Sequence, residues 1–512
     1  MSDDNKPLSM SRRRALKAGA IAAAFTVGAQ GARAKPSPAL DNSELAWMSG
    51  VNLAALIASK HISPVEVTQY FLSRIEALEP QINAYITVDA EGAMSQAREF
   101  EKMLMRGDTL GPMHGLPISI KDLVMTRGLR TTYGSLIYQD NIPERDEIQI
   151  ERLRAAGAII LGKTNTPEFG KFPRTRSLVG GETSNPWDPT RISGASSGGS
   201  AAAVAAGISN LAIASDGGGS TRIPCCFNGV FGLQPSAGRV PMRKPKRLVM
   251  SSTGPATMYV EDAVLVMSVI GGPDARDPSA IESPKPNFLV GLGEGVKNSR
   301  IAWTPDFGRI PIVDPRVVNK IEAAVQMFTL AGANVDAPKI HLPDNTWEVF
   351  WALNASAAGD QLSGFTTEQL DLLTPPLKSL LAQISQIPPM TPELQMSALE
   401  KRAELQRWAD LVFAKYDFIC SPVTNMIAPL IPDGWQQPYQ HPLFAQQIST
   451  PFTHIANILG LPAASVPCGF VDGMPIGLQI ISRRFSDAKV LQAAKVFSEL
   501  QPWMNAHPKL VA

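Results

Sequence analysis

Apolar residues recur at three- and four-residue spacing through SELAWMSGVNLAALIASK (43–60) and SPVEVTQYFLSRIEALE (63–79), so residues 43–110 read as helical. Ser63, followed by Pro64 and Glu66, predicts a capped helix start. The period then changes. GLPISI (115–120), AIILG (158–162) and NLAIAS (210–215) are short apolar runs that end at Gly, Lys or Asp and are separated by helical stretches. That alternation predicts buried strands in a layered α/β fold. Residues 285–340 repeat the style, with RIAWTPD as a strand and PRVVNKIEAAVQMFTLAGANV as a helix, a Gly stop and a strand. The stretch 345–450 is richer in Pro, Gln and Met and reads as mainly helical without clear strands, a subregion that could face substrate. FTHIANILGLPAASVPCGF and MPIGLQIIS return to strand-like runs.

Composition fits one large globular domain. The 512 residues are 44% apolar and 18% charged, with no internal repeat or extended low-complexity linker. No run of about 18 apolar residues suggests a membrane span. Residues 1–34 stand apart: Arg12, Arg13, Arg14 and Lys17 precede a short apolar stretch that ends in Ala32-Arg33-Ala34. This is the layout of a cleaved leader, and Ser11-Arg12-Arg13-Arg14-Ala15-Leu16-Lys17 resembles a twin-arginine export box with Ala15 in place of the usual Phe. The reading predicts passage through the twin-arginine translocase, a periplasmic location, and a mature chain over 35–512. It outweighs a basic amphipathic transit peptide, which lacks the small-residue cleavage site. Removing the leader's six basic and two acidic residues from 47 and 46 leaves 41 against 44, a net charge of −3. That balance gives no electrostatic case for nucleic acid or an anionic membrane as a partner.

The four cysteines (225, 226, 420, 468) form no C-x-x-C pair, and the six histidines show no metal-ligand spacing, so neither a metal nor another cofactor is predicted. An oxidising compartment would permit Cys420 to pair with Cys468, although small buried hydrophobes is the simpler reading. Gly157–Thr164 matches the phosphate-loop pattern G-x-x-x-x-G-K-T, but its middle residues are Ala-Ile-Ile-Leu and Asn-Thr-Pro follows. A phosphate loop needs solvated amides and a helix directly after it, so this segment reads as a buried strand with Lys163 serving backbone or a neighbour.

Gly194-Ala195-Ser196-Ser197-Gly198 spells the G-x-S-x-G of a nucleophile elbow, and a helix-forming GSAAAVAAG follows. The preceding SNPWDPTRI has two prolines and no apolar run, so no buried strand delivers Ser196. A Ser-His-Asp esterase using Ser196 therefore stands as an alternative, without a clear histidine partner. NLAIASDGGGSTRIP differs, because an apolar strand runs straight into Asp216-Gly217-Gly218-Gly219-Ser220. Successive glycines let a turn present several N–H groups to one point, which suits an oxyanion beside Ser220; a simple glycine turn before a helix is equally consistent. In HGLPISIKDLV a strand ends at Lys121-Asp122. Burial disfavours a charged lysine, and a neutral one can act as a general base.

Together, GLPISIKD, GKTNTPEFG, NPWDPTRISGASSGGSAAAVAAG, SDGGGSTRIP, FTHIANILGLPAASVPCGF and MPIGLQI resemble the amidase signature family over essentially the mature chain. The resemblance implies one large α/β domain with a mixed central β-sheet covered by helices on both sides. It also implies a Ser-Ser-Lys triad, with Ser220 as nucleophile, Ser196 as proton bridge after a cis Ala195–Ser196 bond, and Lys121 as base. Gly217, Gly218 and Gly219 would supply the oxyanion hole, together with the Ser220 N–H, and Ser197, Asp216 and Arg222 would brace the site. Ala195 departs from the family's glycine at that position. The implied activity is hydrolysis of a small-molecule amide, apolar, aryl or aliphatic, or a related oligomer, carbamate or anilide. A non-catalytic exported binding protein on the same scaffold is the non-enzyme alternative.

Overall fold

The computed structural model describes residues 42–510 apart from 244–249, 345, 351, 354–363, 387–390 and 437–451. The segment read as a leader (1–34), and those parts of 345–450, lie outside the described residues. Eleven strands form one sheet, here numbered along the chain: β1 Tyr85–Val88, β2 Pro117–Lys121, β3 Ile159–Thr164, β4 Leu211–Asp216, β5 Phe231–Gln234, β6 Ser252–Thr257, β7 Arg300–Trp303, β8 Asn334–Asp336, β9 Phe418–Pro422, β10 Ala463–Val471 and β11 Met474–Ser482. Their order is β1-β3-β2-β4-β6-β5-β10-β11-β9-β7-β8. The sheet is mixed: β2 runs parallel to β3 and β4, and β7 to β8 and β9, while the other pairs are antiparallel. Helices cover both faces, as the resemblance implied.

The sequence dictates these elements where its pattern is long enough. Ser63 caps the helix Pro64–Ile82, its Oγ accepting the Glu66 N–H at 3.1 Å while Glu66 Oε2 accepts the Ser63 N–H at 2.8 Å. Ile118, Ile120, Ile159 and Leu161 are fully buried on β2 and β3, and burying each such side chain stabilises by roughly 1.5–3 kcal/mol. The helix Pro315–Gln326, a short 3-10 turn, Gly332 at φ +81° and β8 follow the predicted order.

Three segments differ from the sequence reading. β1 lies inside the region read as wholly helical, because four residues between two long helices are too few to show a strand period. β9 lies inside the region read as strand-free. It follows the 24-residue helix Pro392–Lys415 with only two residues between, yet it completes the sheet between β11 and β7. The start of FTHIANILG is the helix His454–Leu459. All four cysteines are buried and unbridged. Cys420 sits on β9 and Cys468 on β10 with β11 between them, two strand spacings or about 9–10 Å, which is beyond disulfide reach.

Candidate active site

β2 ends at Lys121, and its side chain is fully enclosed. Lys121 Nζ lies 2.8 Å from Ser196 Oγ, 2.7 Å from Ser197 Oγ and 3.0 Å from Ser215 Oγ. Ser197 Oγ donates its one hydrogen to the Ser215 carbonyl at 3.2 Å and accepts the Ser215 N–H at 3.3 Å. It therefore faces Nζ as an acceptor, while Ser196 and Ser215 keep hydroxyl hydrogens that can be given to an amine. The Ala195–Ser196 bond is cis, as expected. Ser197 then starts the helix Gly198–Ala205. Gly199 lets that helix approach β3, since a Cβ there would lie 2.4 Å from Asn165 N and 2.5 Å from Ala84 O. Asp188–Ile192 is a strand, but it pairs with Ser184–Asn185 in a separate hairpin and bridges Leu430 from Arg191, outside the main sheet, so no strand of that sheet delivers Ser196.

β4 runs into the second serine. Ser220 is half-buried, and its carbonyl accepts the Ser197 N–H at 3.1 Å, which ties the two serine turns together. Asp216 and Arg222, both fully buried, pair through two 3.0 Å bonds. Burial alone would raise the Asp216 pKa; the Arg222 charge, with hydrogen bonds from Arg222, Asn457 and Gly219, overturns that and holds it below the usual carboxylate range. Asp216 Oδ1 accepts the Gly219 N–H at 2.6 Å. Gly219 is thus engaged inside its own loop, whereas Gly217, Gly218 and Ser220 are the N–H groups with no acceptor among the described residues. Arg222 also donates to Thr453 O at 2.9 Å, Gln479 Oε1 at 2.6 Å and Asn457 Oδ1 at 2.7 Å, and to Gln234 Oε1.

A family model described as Amidase matches residues 66–491. The chain belongs to the amidase family. It is similar to an acylamidase of Rhodococcus erythropolis, 34% identical over 479 residues that cover 91% of this chain and 98% of that protein. It is also similar to a glutamyl-tRNA(Gln) amidotransferase subunit of Moorella thermoacetica, 32% identical over 490 residues covering 91% and 99%. Among solved structures, a bacterial aryl acylamidase of the amidase signature family superimposes with a TM-score of 0.82 at 27% identity, covering 90% of this chain and 97% of that one. The protein is thus an acylamidase-like hydrolase of the amidase signature type, acting on carbon–nitrogen bonds other than peptide bonds.

Within this amidase, Lys121, Ser196 and Ser197 are brought into hydrogen-bond contact, and Ser220, Asp216 and Arg222 share the adjoining loop. Sequence reasoning missed Ser215, whose signal was only its place one residue before Asp216. It also missed Gln234, 12 positions from its partner Arg222, and Thr453, Asn457 and Gln479, polar residues inside apolar runs more than 230 positions from it. Lys163 bears out the strand reading of the phosphate-loop match: its Nζ donates to Val124 O, to Thr126 Oγ1 at 2.9 Å and to Thr131 Oγ1 at 3.0 Å.

No histidine hydrogen-bonds Ser196 or Ser220 among the described residues, and His441 lies outside them. Aromatic rings flank both serine turns. Phe350 lies so close to Gly218 that a Cβ there would be 2.7 Å from its Cζ, and Trp347 and His454 pack on Phe350 with centroids at 5.3 and 5.5 Å. On the other side Gly170 abuts Ser196 Oγ, and the adjacent Phe169 packs against Tyr138 at 6.1 Å and Phe365 at 5.8 Å. Phe365 comes from the stretch read as a substrate-facing helical subregion, whose helices include Pro375–Gln386 and Pro392–Lys415.

Proposed function

We propose that this amidase is exported through its twin-arginine leader and hydrolyses small apolar or aryl amides through a Ser220 acyl-enzyme. The observation that carries the chemistry is the 2.8 Å contact between buried Lys121 Nζ and Ser196 Oγ, on a turn bonded to Ser220. Neutral Lys121 takes the Ser196 proton as Ser196 takes that of Ser220, and Ser220 Oγ bonds to the amide carbon. The carbonyl oxygen gains charge facing the N–H groups of Gly217, Gly218 and Ser220. As the C–N bond breaks, the proton returns through Ser196 to the leaving amine. Water then attacks the ester by the same relay, releasing the acid and restoring Ser220. Asp216, Arg222 and Ser197 hold these groups in place. The aromatic rings beside both turns, and the acylamidase relatives, support an apolar or aryl group on the substrate. The leader and the near-neutral mature chain favour this reading over the amidotransferase role of the Moorella relative.

The test is to treat the purified protein with a fluorophosphonate and map the labelled peptide. Labelling at Ser220, lost in Lys121→Ala, is the expected result. Label on Ser196 would sink the triad assignment, and absence of any label would favour the binding-protein alternative. Cell fractionation of an Arg12→Lys/Arg13→Lys double variant tests export, with retention in the cytoplasm expected.

A further inference from the structure

The loop that carries Ser220 has one peptide group fixed at both ends. Thr453 Oγ1, 235 positions along the chain, donates to the Gly218 carbonyl at 2.6 Å. The N–H of the same peptide, that of Gly219, donates to Asp216 at 2.6 Å. A peptide unit is planar, so bonds at both its C=O and its N–H stop it from rotating. The flanking peptides carry the N–H groups of Gly218 and Ser220, which have no acceptor among the described residues. Gly219 makes room for this arrangement: it sits at φ +120°, and a Cβ there would lie 2.3 Å from Thr453 Oγ1. The bonds close into a ring, since Arg222 pairs with Asp216 and also donates to the Thr453 carbonyl at 2.9 Å.

We propose that Thr453 is a positioning residue for the oxyanion loop. Its hydroxyl holds the Gly218–Gly219 peptide so that the free N–H groups on either side converge on the substrate oxygen. The inference rests on Ser220 being the nucleophile. Because the oxygen gains its charge only in the transition state, the hydroxyl serves kcat rather than ground-state binding.

The experiment compares the wild-type protein with Thr453→Val and Thr453→Ser on an acyl anilide, together with fluorophosphonate labelling rates. Thr453→Val is expected to lower kcat and the labelling rate by about 10- to 100-fold, below the loss from deleting a direct donor, with KM within about twofold. Thr453→Ser keeps the hydroxyl and is expected to stay within about threefold of wild type. If the valine variant does not fold, Thr453→Ala against Thr453→Ser carries the same comparison. Unchanged kcat in the variant without the hydroxyl, a loss confined to KM, or equal losses in the serine variant would each overturn the proposal. Failure of the nucleophile assignment shows separately, as a wild-type protein not labelled at Ser220.

Discussion

Lys121 and Lys163 are fully buried lysines on neighbouring parallel strands, one residue out of register, since Ile120 pairs with Lys163 and Lys121 with Thr164. Their partners differ in kind. Around Lys163, Thr126 Oγ1 gives its hydrogen to Val124 O and Thr131 Oγ1 gives its own to Leu129 O, so both hydroxyls, like the Val124 carbonyl, can only accept from Nζ. Three acceptors match the three N–H groups of an ammonium. Around Lys121, Ser197 Oγ and, at 3.4 Å, the Ser215 carbonyl accept, but the Ser196 and Ser215 hydroxyls can reverse and donate. A neutral amine, with two N–H groups and a lone pair, can therefore be satisfied at Lys121, whereas at Lys163 it would leave an acceptor unmatched. Both side chains are buried, and the chemistry of their partners is what sets the two lysines apart.

The sharpest way to break this contrast is to make both lysines apolar. Lys121→Met should cut kcat on an anilide by about a thousandfold, within the range for loss of a general base, with the fold retained by circular dichroism. Lys163→Met should leave kcat within about tenfold, because the Lys163 ammonium bonds Val124, Thr126 and Thr131 and neither Ser196 nor Ser220. Comparable losses from the two substitutions would erase the distinction.

Local pattern reached as far as the strand-end lysine, the Asp-Gly-Gly-Gly-Ser turn and the helix after Ser196, because each is a strand, turn or helix signal within about ten residues. It could not separate Lys121 from Lys163 by periodicity, since both follow apolar runs; the Asn-Thr-Pro after Thr164 was the usable difference. It also could not foresee that Gly219 spends its N–H on Asp216, because a glycine triplet leaves open where each amide points. The clamp on Arg222 was out of reach for another reason. Asn457 and Gln479 meet it across 235 and 257 positions, and contacts at that separation leave no trace in local spacing. β1 and β9 were missed because short strands beside long helices show too few residues to establish a period.

Lys163 also carries an expectation in pH. Burial lowers the Lys163 pKa from 10.5 to about 8. Below about 8 both folded and unfolded chains hold this proton, and burying the charge opposes folding. Between about 8 and 10.5 the unfolded chain binds more protons, so stability from this group rises with pH, by about 3 kcal/mol across the window. Denaturant titrations at intervals from pH 7 to 10.5 should show that rise in wild type relative to Lys163→Met. Parallel pH profiles would mean that Lys163 bears no charge penalty.

The smallest expected effect concerns Ala195, the departure from the family's glycine beside Ser196. Ala195 is half-buried and is not among the residues with positive φ, so its methyl meets no conformational penalty of the kind that favours glycine. Lys121 bonds Ser196 through its Oγ, a contact in which the Ala195 methyl takes no part. Ala195→Gly should therefore leave kcat within about twofold. It should lower stability by about 0.4–1 kcal/mol, because glycine gives the unfolded chain more freedom to lose. Steady-state kinetics and denaturant midpoints check the two expectations separately. A tenfold fall in kcat would mean that the methyl helps to aim Ser196, and then the difference between the two lysines would begin one residue before Ser196 rather than in the hydroxyls around Nζ.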